Sequence, residues 1–221
     1  MQELAVTIKN ICSIVPGGIV CFFTSYDNLN RFHNFINDKK IIDTIKLKKQ
    51  VFLEPREAFK IDKILEEYGS VIKETKKRSY GQTGAIIFSV IGGKLSEGMN
   101  FSDDLGRCVI VCGLPYPNKF NPELTEKIKF MNATISSSAG NDYYENLCMK
   151  AVNQSIGRSI RHINDYATVL LLDQRYQREN IVKKLPQWIQ NSLQQFNTYG
   201  KAHCQVANFF KEKREKSLIN I

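Results

Sequence analysis

A doubly wound parallel α/β sheet is the fold class this sequence predicts, and three observations carry the prediction. Five short apolar runs lack the polar alternation of half-exposed strands: 19–23 (IVCFF), 51–53 (VFL), 85–90 (AIIFSV), 108–112 (CVIVC) and 168–172 (TVLLL). Segments with apolar residues at helical spacing separate them, the order that builds a parallel sheet with helices on both faces. The chain's 221 residues, 43% hydrophobic and 24% charged, suit one large domain of ordinary globular composition.

The elements follow in order. Residues 5–13 have helical spacing and stop before Pro16-Gly17-Gly18. Strand 19–23 runs into Thr24-Ser25-Tyr26, and Asp27 is placed to cap a helix over about 28–38. Strand 51–53 precedes a helix over 58–76 whose apolar stripe is Ile61, Ile64, Leu65, Tyr68 and Ile72. Strands 85–90 and 108–112 come next. Residues 114–138 carry Pro115, Pro117, Asn118, Asn121, Pro122 and a serine run, and read as an exposed excursion holding a helical piece. Residues 143–162 read as one long helix leading to strand 168–172. The expected organisation is one domain over 1–208, with the excursion at 114–138, and a basic tail over 209–221 that frays.

Composition narrows the function. No apolar run approaches the ~20 residues of a membrane span, so no membrane partner is expected. The start of the chain has an early acidic residue and no basic n-region, against a secretory signal. Cys12, Cys21, Cys108, Cys112, Cys148 and Cys204 are scattered without a CxxC pair, so no metal site is expected and the thiols read as free core fillers in a reducing compartment. The net charge of +9 favours a polyanionic partner, most simply nucleic acid.

Two clusters carry chemistry. The first, 90–101 (VIGGKLSEGMNF), invites comparison with a Walker A loop, which needs G-x-x-x-x-G-K followed by Ser or Thr. If Gly93-Lys94 is the G-K pair, Leu95 stands where the hydroxyl belongs and Phe88 where the first glycine belongs, so it is not one. No strand is followed by G-x-G-x-x-G either, which excludes a dinucleotide-binding fingerprint. The second cluster, 154–162 (QSIGRSIRH), spaces Gln154, Arg158 and Arg161 to share one helical face. Two guanidiniums so close repel unless an anion lies between them, and such forks suit a triphosphate. Gly157 costs its helix about 1 kcal/mol relative to Ala, which points to a close approach at that backbone. A solvated basic face, or ion pairs with distant carboxylates, is the alternative for the arginines.

Taken together, GKLSEGMNF after one strand and QSIGRSIR before TVLLLD resemble motifs V and VI of superfamily 2 helicases. SEGMNFSDDLGRCVIVCGLPYPN, ENLCMKAVNQSIGRSIRH and ATVLLLDQRY are similar to the XPD-like iron–sulfur DNA helicases, closest to the branch associated with sister-chromatid cohesion (Chl-type, relatives of FANCJ). GGIVCFFTSYDNL resembles motif IV, and the likeness runs from about residue 15 to 184. The resemblance implies a second RecA-like domain, the C-terminal half of a nuclear 5′–3′ helicase motor acting in DNA repair and cohesion.

The residues are carried over position by position. Arg161 matches the arginine finger, and Arg158 and Gln154 match groups on the γ-phosphate side. Gly157, Glu97, Gly98 and Asn100 match positions near the nucleotide, the family often having Asp at the last, and Asp173 and Arg175 match a nucleotide-sensing loop. Thr24, Ser25, Tyr26, Lys94 and Ser96 are matched to DNA contacts. Tyr26 instead covers the end of the sheet in the bland reading, Asp173 orients Arg175 or a motif VI arginine, Glu97 caps a backbone N–H, and His162 pairs with Asp165 or lies on the surface.

The implied cofactor is ATP with Mg2+, shared with an N-terminal motor domain in cis or trans; the implied substrate is single-stranded or forked DNA. The chain carries no Walker A, no DEAH sequence and no clustered cysteines. An iron–sulfur cluster is therefore expected only in the other half, and ATP hydrolysis and unwinding are not expected of this chain alone. The alternative is a non-catalytic nucleic-acid-binding or regulatory module that keeps the fold.

Overall fold

The computed structural model describes residues 1–77, 81–95, 101–158, 160, 162 and 165–219, with side chains as far as residue 216. Five strands, β1 (Gly17–Phe23), β2 (Gln50–Leu53), β3 (Gly84–Val90), β4 (Cys108–Cys112) and β5 (Thr168–Leu172), form one parallel sheet in the order β2-β3-β1-β4-β5. The first strand is central and pairs with β3 on one side and β4 on the other.

Side-chain alternation along these strands explains the two helical layers. Ile19, Cys21 and Phe23 of β1, Ile86 and Phe88 of β3, and Ile110 of β4 face a layer made by α1 (Gln2–Ile14), α2 (Tyr26–Asp38), α3 (Ile41–Lys46) and α9 (Tyr199–Ile219). Val20, Phe22, Ile87, Val109 and Val111 face the opposite layer, built from α4 (Ile61–Lys76), α6 (Ala139–Ile156) and the short α7 (Glu179–Val182) and α8 (Gln187–Gln190). Each face has its own core, so a continuous apolar run is what a central strand requires. The edge strands depart from that expectation: β5 is only half-buried along its length, and Gln50 of β2 is exposed, because an edge has a neighbour on one side only.

Four local expectations change. Ser25, not Asp27, caps α2, its hydroxyl accepting from the Asn28 amide at 3.2 Å, and the helix starts at Tyr26. The start of the predicted 58–76 helix is a 3-10 turn over Ala58–Lys60. The helix predicted over 143–162 begins earlier and ends at Ile156, so Arg158 lies beyond its last turn and does not share a helical face with Gln154. Gly157 is exposed at the cap, and an added Cβ would meet only the Asn153 carbonyl, at 3.1 Å. No helix penalty applies there, because the helix has ended, and no described segment crowds that backbone. At the C-terminal end, α9 continues to Ile219 and seats Phe210 fully inside the core beside Tyr166.

Residues 114–138 carry α5 (Pro122–Thr134), capped by Asn121, with no buried residue and with Phe120, Phe130 and Ile135 exposed. At the amino ends of the strands, Lys49 is fully buried and donates to the carbonyls of Val15, Gly17 and Thr83 at 2.7, 2.8 and 3.2 Å. All three ammonium protons find acceptors, which is the condition for burying such a group. No helix among the described residues is long and apolar enough to cross a membrane.

Candidate functional site

Loops leaving the carboxyl ends of adjacent parallel strands lie side by side, and ligands of open α/β sheets sit there. Here the loops after β2, β3 and β1 are neighbours, and one buried carboxylate joins them. Glu54, next after β2 and 5% exposed, accepts from the Tyr26 hydroxyl at 2.9 Å and the Ser89 hydroxyl at 2.6 Å. It also accepts from the amides of Val90 and Leu95 at 2.8 and 3.2 Å. Four donors on one carboxylate satisfy a charge that burial alone would expel.

The carboxylate thus holds the loop that begins with Gly92-Gly93-Lys94. A Cβ on Gly93 would lie 2.5 Å and 2.9 Å from the two Glu54 oxygens, so only glycine fits against the clamp. Lys94 between these anchors is exposed. Burial and the bond to Glu54 push the Tyr26 phenol up to about 12, so it remains a donor at neutral pH. The motif IV residues are partly committed within the fold: Ser25 caps α2, and the Thr24 hydroxyl accepts from the Asn28 side chain at 2.8 Å.

Ser96, Glu97, Gly98 and Asn100, the remaining positions predicted in this loop, lie outside the described residues, as does Arg161. The far end of the loop is fixed in another place. Phe101 is fully buried, packs edge-on against Phe22 and Tyr68, and its amide donates to the carbonyl of Arg158 at 3.1 Å. Motif V therefore runs from the Glu54 clamp at the sheet's carboxyl edge to the turn just after α6. The two sequence clusters are brought together by backbone hydrogen bonding rather than by a shared helix face.

Gln154 is exposed on the last turn of α6 and lines a shallow groove of about 530 Å3 with Asn146, Met149, Lys150, Asn153 and Lys184. Lys184 is held by Glu145 at 2.7 Å, which leaves Lys150 as the groove's exposed cation among the described residues.

A second carboxyl-edge group follows β4 and β5. Asp173 accepts from the Arg175 amide and Nε at 2.9 Å each, and from its terminal nitrogen at 2.7 Å. That pairing with Arg175 holds the Asp173 carboxyl below its ordinary range and raises the guanidinium. Arg175 in turn lies 5.6 Å from the centroid of Tyr116, which stacks on Tyr144. Gly113, with φ +92°, fits between Thr24 and Asp173: an added Cβ would be 3.2 Å from the Thr24 methyl and 3.9 Å from the Asp173 carboxylate. Asp173 orients Arg175, as the simpler reading of that loop held.

His162 lies on the surface, one of the two readings of it, with its ring 3.0 Å from Asp103, while the Asp165 carboxylate takes Arg107 at 2.8 Å and the Asp165 amide donates to the His162 carbonyl at 3.0 Å. The polar atoms of Asp103, His162 and Asp165 lie within 4.8 Å of one another, yet they are engaged with each other and with Arg107, and no metal is assigned to them. Sequence reasoning missed Glu54. Its one signal is a carboxylate directly after an apolar run and before Pro55, a pattern too common to stand out without the fold.

Against known proteins, the sequence model of the helicase C-terminal domain matches residues 8–192. The chain is 46% identical over 223 residues to the ATP-dependent DNA helicase DDX11 of Danio rerio, covering 99% of this chain and 25% of that protein. It is 47% identical over 202 residues to the ATP-dependent DNA helicase CHL1 of Candida albicans, covering 87% and 23%. The chain thus spans about a quarter of the length of these curated relatives. Among solved structures, Xpd4 of S. tokodaii superposes with a TM-score of 0.55 at 18% identity, over 85% of this chain and 33% of that one, a likeness in fold. With the family match spanning most of the sequence, the chain belongs to the helicase C-terminal domain family, of the DDX11 and CHL1 type.

Proposed function

We propose that this chain is the second RecA-like motor domain of an ATP-dependent DNA helicase, with residues 1–208 as the motor unit, 114–138 as an excursion from it and 209–221 as a basic tail. The carrying observation is the loop pinned at one end by Glu54 and at the other by the Arg158 carbonyl. Its two ends are fastened to different elements, the physical continuity that coupling between two sites requires. Such a segment links a phosphate-facing turn to a nucleic-acid-facing edge.

The residues fit a triphosphate presented by a facing domain: Gln154 is exposed at the end of α6, and Arg158 follows it in the turn. Bound ATP with Mg2+ supplies the phosphoryl-transfer chemistry. Gln154 orients on the γ-phosphate side, and Arg158 and Arg161 place positive charge where negative charge develops. Loss of that charge contact lets the two domains separate. Asp173 keeps Arg175 in one orientation beside this edge. Thr24, Ser25, Tyr26, Lys94 and Ser96 form the nucleic-acid side, gripping single-stranded or forked DNA in a salt-dependent, largely sequence-independent way. Movement is 5′ to 3′, the setting is the nucleus, with roles in repair and sister-chromatid cohesion, and the partner is an N-terminal motor domain that carries the Walker A loop, the DEAH carboxylates and any iron–sulfur cluster.

The test is Arg161→Ala in the full-length enzyme. ATP hydrolysis is expected to be abolished with DNA affinity nearly intact; equal loss of both overturns the assignment. ATPase turnover by this chain alone, free of contaminants, contradicts the division of labour.

A further inference from the structure

The segment just after β2, Pro55–Lys60, is absorbed by none of the motifs. It starts at Glu54, whose carboxylate is clamped by four donors and whose amide donates to the Phe88 carbonyl at 2.8 Å. The loop therefore leaves a rigid point at the edge of the sheet, beside the β3 loop with Lys94 and tied to the β1 loop through the Tyr26 hydroxyl.

Two of its side chains have no structural employment that matches their chemistry. Phe59 is 80% exposed, in a chain that buries Phe22, Phe32, Phe88, Phe101 and Phe210 completely. Arg56 is exposed, stands in no ion pair among the described residues, and lies 5.7 Å from the Tyr26 ring centroid. Stacking on a ring holds a guanidinium in place while leaving its N–H edge open to an anion. Lys60, paired with Glu57, lies 5.5 Å from the Phe59 ring centroid and flanks it with charge. An exposed ring flanked by cations, beside the loop that carries Lys94, is the combination that binds single-stranded nucleic acid: π faces for bases, cations for phosphates.

We propose that Arg56 and Phe59 form a nucleic-acid contact of their own, Phe59 stacking on an unpaired base and Arg56 taking the adjacent phosphate, with Glu54 and Tyr26 as its fixed floor. The site rests on the reading of this edge as the nucleic-acid side and extends it to a third loop.

The experiment is fluorescence anisotropy of this chain with a labelled oligo(dT), titrated at several salt concentrations. The variants are Phe59→Ala, Arg56→Ala and Lys94→Ala, with Phe130→Ala as a control for an equally exposed ring on α5. All four side chains are exposed, and circular dichroism checks that each variant folds. Phe59→Ala is expected to weaken binding about fivefold or more with an unchanged salt slope. Arg56→Ala is expected to weaken binding and to flatten the log–log salt slope by about 0.7, the value of one single-strand phosphate contact. Phe130→Ala leaves binding unchanged.

If Lys94→Ala weakens binding while Phe59→Ala and Arg56→Ala stay within about twofold of the native chain, the contact does not exist and the general reading of the edge survives. If Phe130→Ala weakens binding as much as Phe59→Ala, the loss is not local and the proposal falls. Failure of the native chain to bind oligo(dT) even at low salt removes the nucleic-acid reading itself.

Discussion

The amide of Phe101 donates to the carbonyl of Arg158 at 3.1 Å, fastening the exit of the glycine-lysine loop to the turn that follows α6. Its entrance is fastened to Glu54 through the Leu95 amide at 3.2 Å. The two ties join the ends of this loop to different elements, and each tie can be tested through the groups that make it.

Glu54→Gln tests the first tie. An amide presents one acceptor oxygen and one donor nitrogen to four donors, so at least one buried N–H or O–H loses its partner. The expected cost is about 1–3 kcal/mol, read as a lower urea midpoint with unchanged slope. Tyr26→Phe, which removes one donor and strands no charge, is expected to cost about 0.5–1.5 kcal/mol. Equal effects of the two would mean that the backbone donors contribute nothing.

Gly93→Ala probes the same contact from the other side. The new methyl meets both Glu54 oxygens, so the variant is expected to lose about 1–3 kcal/mol. Part of that loss should disappear in a Glu54→Ala background, where the carboxylate is gone and the close approach to the Val90 carbonyl, at 2.9 Å, remains. A double-mutant cycle measures the coupling, and simple additivity would show that the two do not touch.

Asp173→Asn bears on the Arg175 orientation and carries a pH signature. The Asp173 carboxyl is held below its ordinary range by Arg175, so its contribution is present above that range and is lost as the pH falls through the depressed value. The melting temperature of Asp173→Asn should therefore lie below that of the native chain at about pH 6, and the gap should narrow as the pH falls below the ordinary carboxylate range. A gap that persists into acid would mean that the pair is not what stabilises the loop.

Lys49→Met removes the ammonium that joins three carbonyls at the amino ends of the strands. The expected loss at neutral pH is about 2–4 kcal/mol, because burial keeps water from replacing the donor. Burial pushes the folded-state Lys49 down to about 8, below its unfolded value of about 10.4, so the unfolded chain binds more protons between those limits. The residue's contribution rises across that window. The stability gap between native chain and variant should widen from about pH 7.5 to about pH 10 in denaturant titrations.

Strand positions were legible because strands covered on both faces leave continuous apolar runs: 108–112 and 168–172 coincide with β4 and β5, and the runs of β1 and β3 match their burial on both faces. The paired motif clusters were legible because their residue types stand in a fixed order and spacing. The end of α6 was not, since a helical pattern persists through Arg158 and Arg161 and outweighed Gly157, the local stop signal that forms the cap. Ser25 as the cap of α2, in place of Asp27, is a boundary decided by where β1 releases the chain.

Glu54 marks the divide most sharply. Composition and order were enough for the fold class, the family and the identity of the arginine and glycine motifs, because each depends on local periodicity or on residue types at fixed spacing. That a glutamate after a four-residue edge strand would hold Tyr26, Ser89 and the β3 loop depended on the strand order β2-β3-β1, which sets residues 26, 54 and 95 against one another. Hydrogen bonds between distant segments carry no periodic trace in the chain, so only the packed structure assigns them.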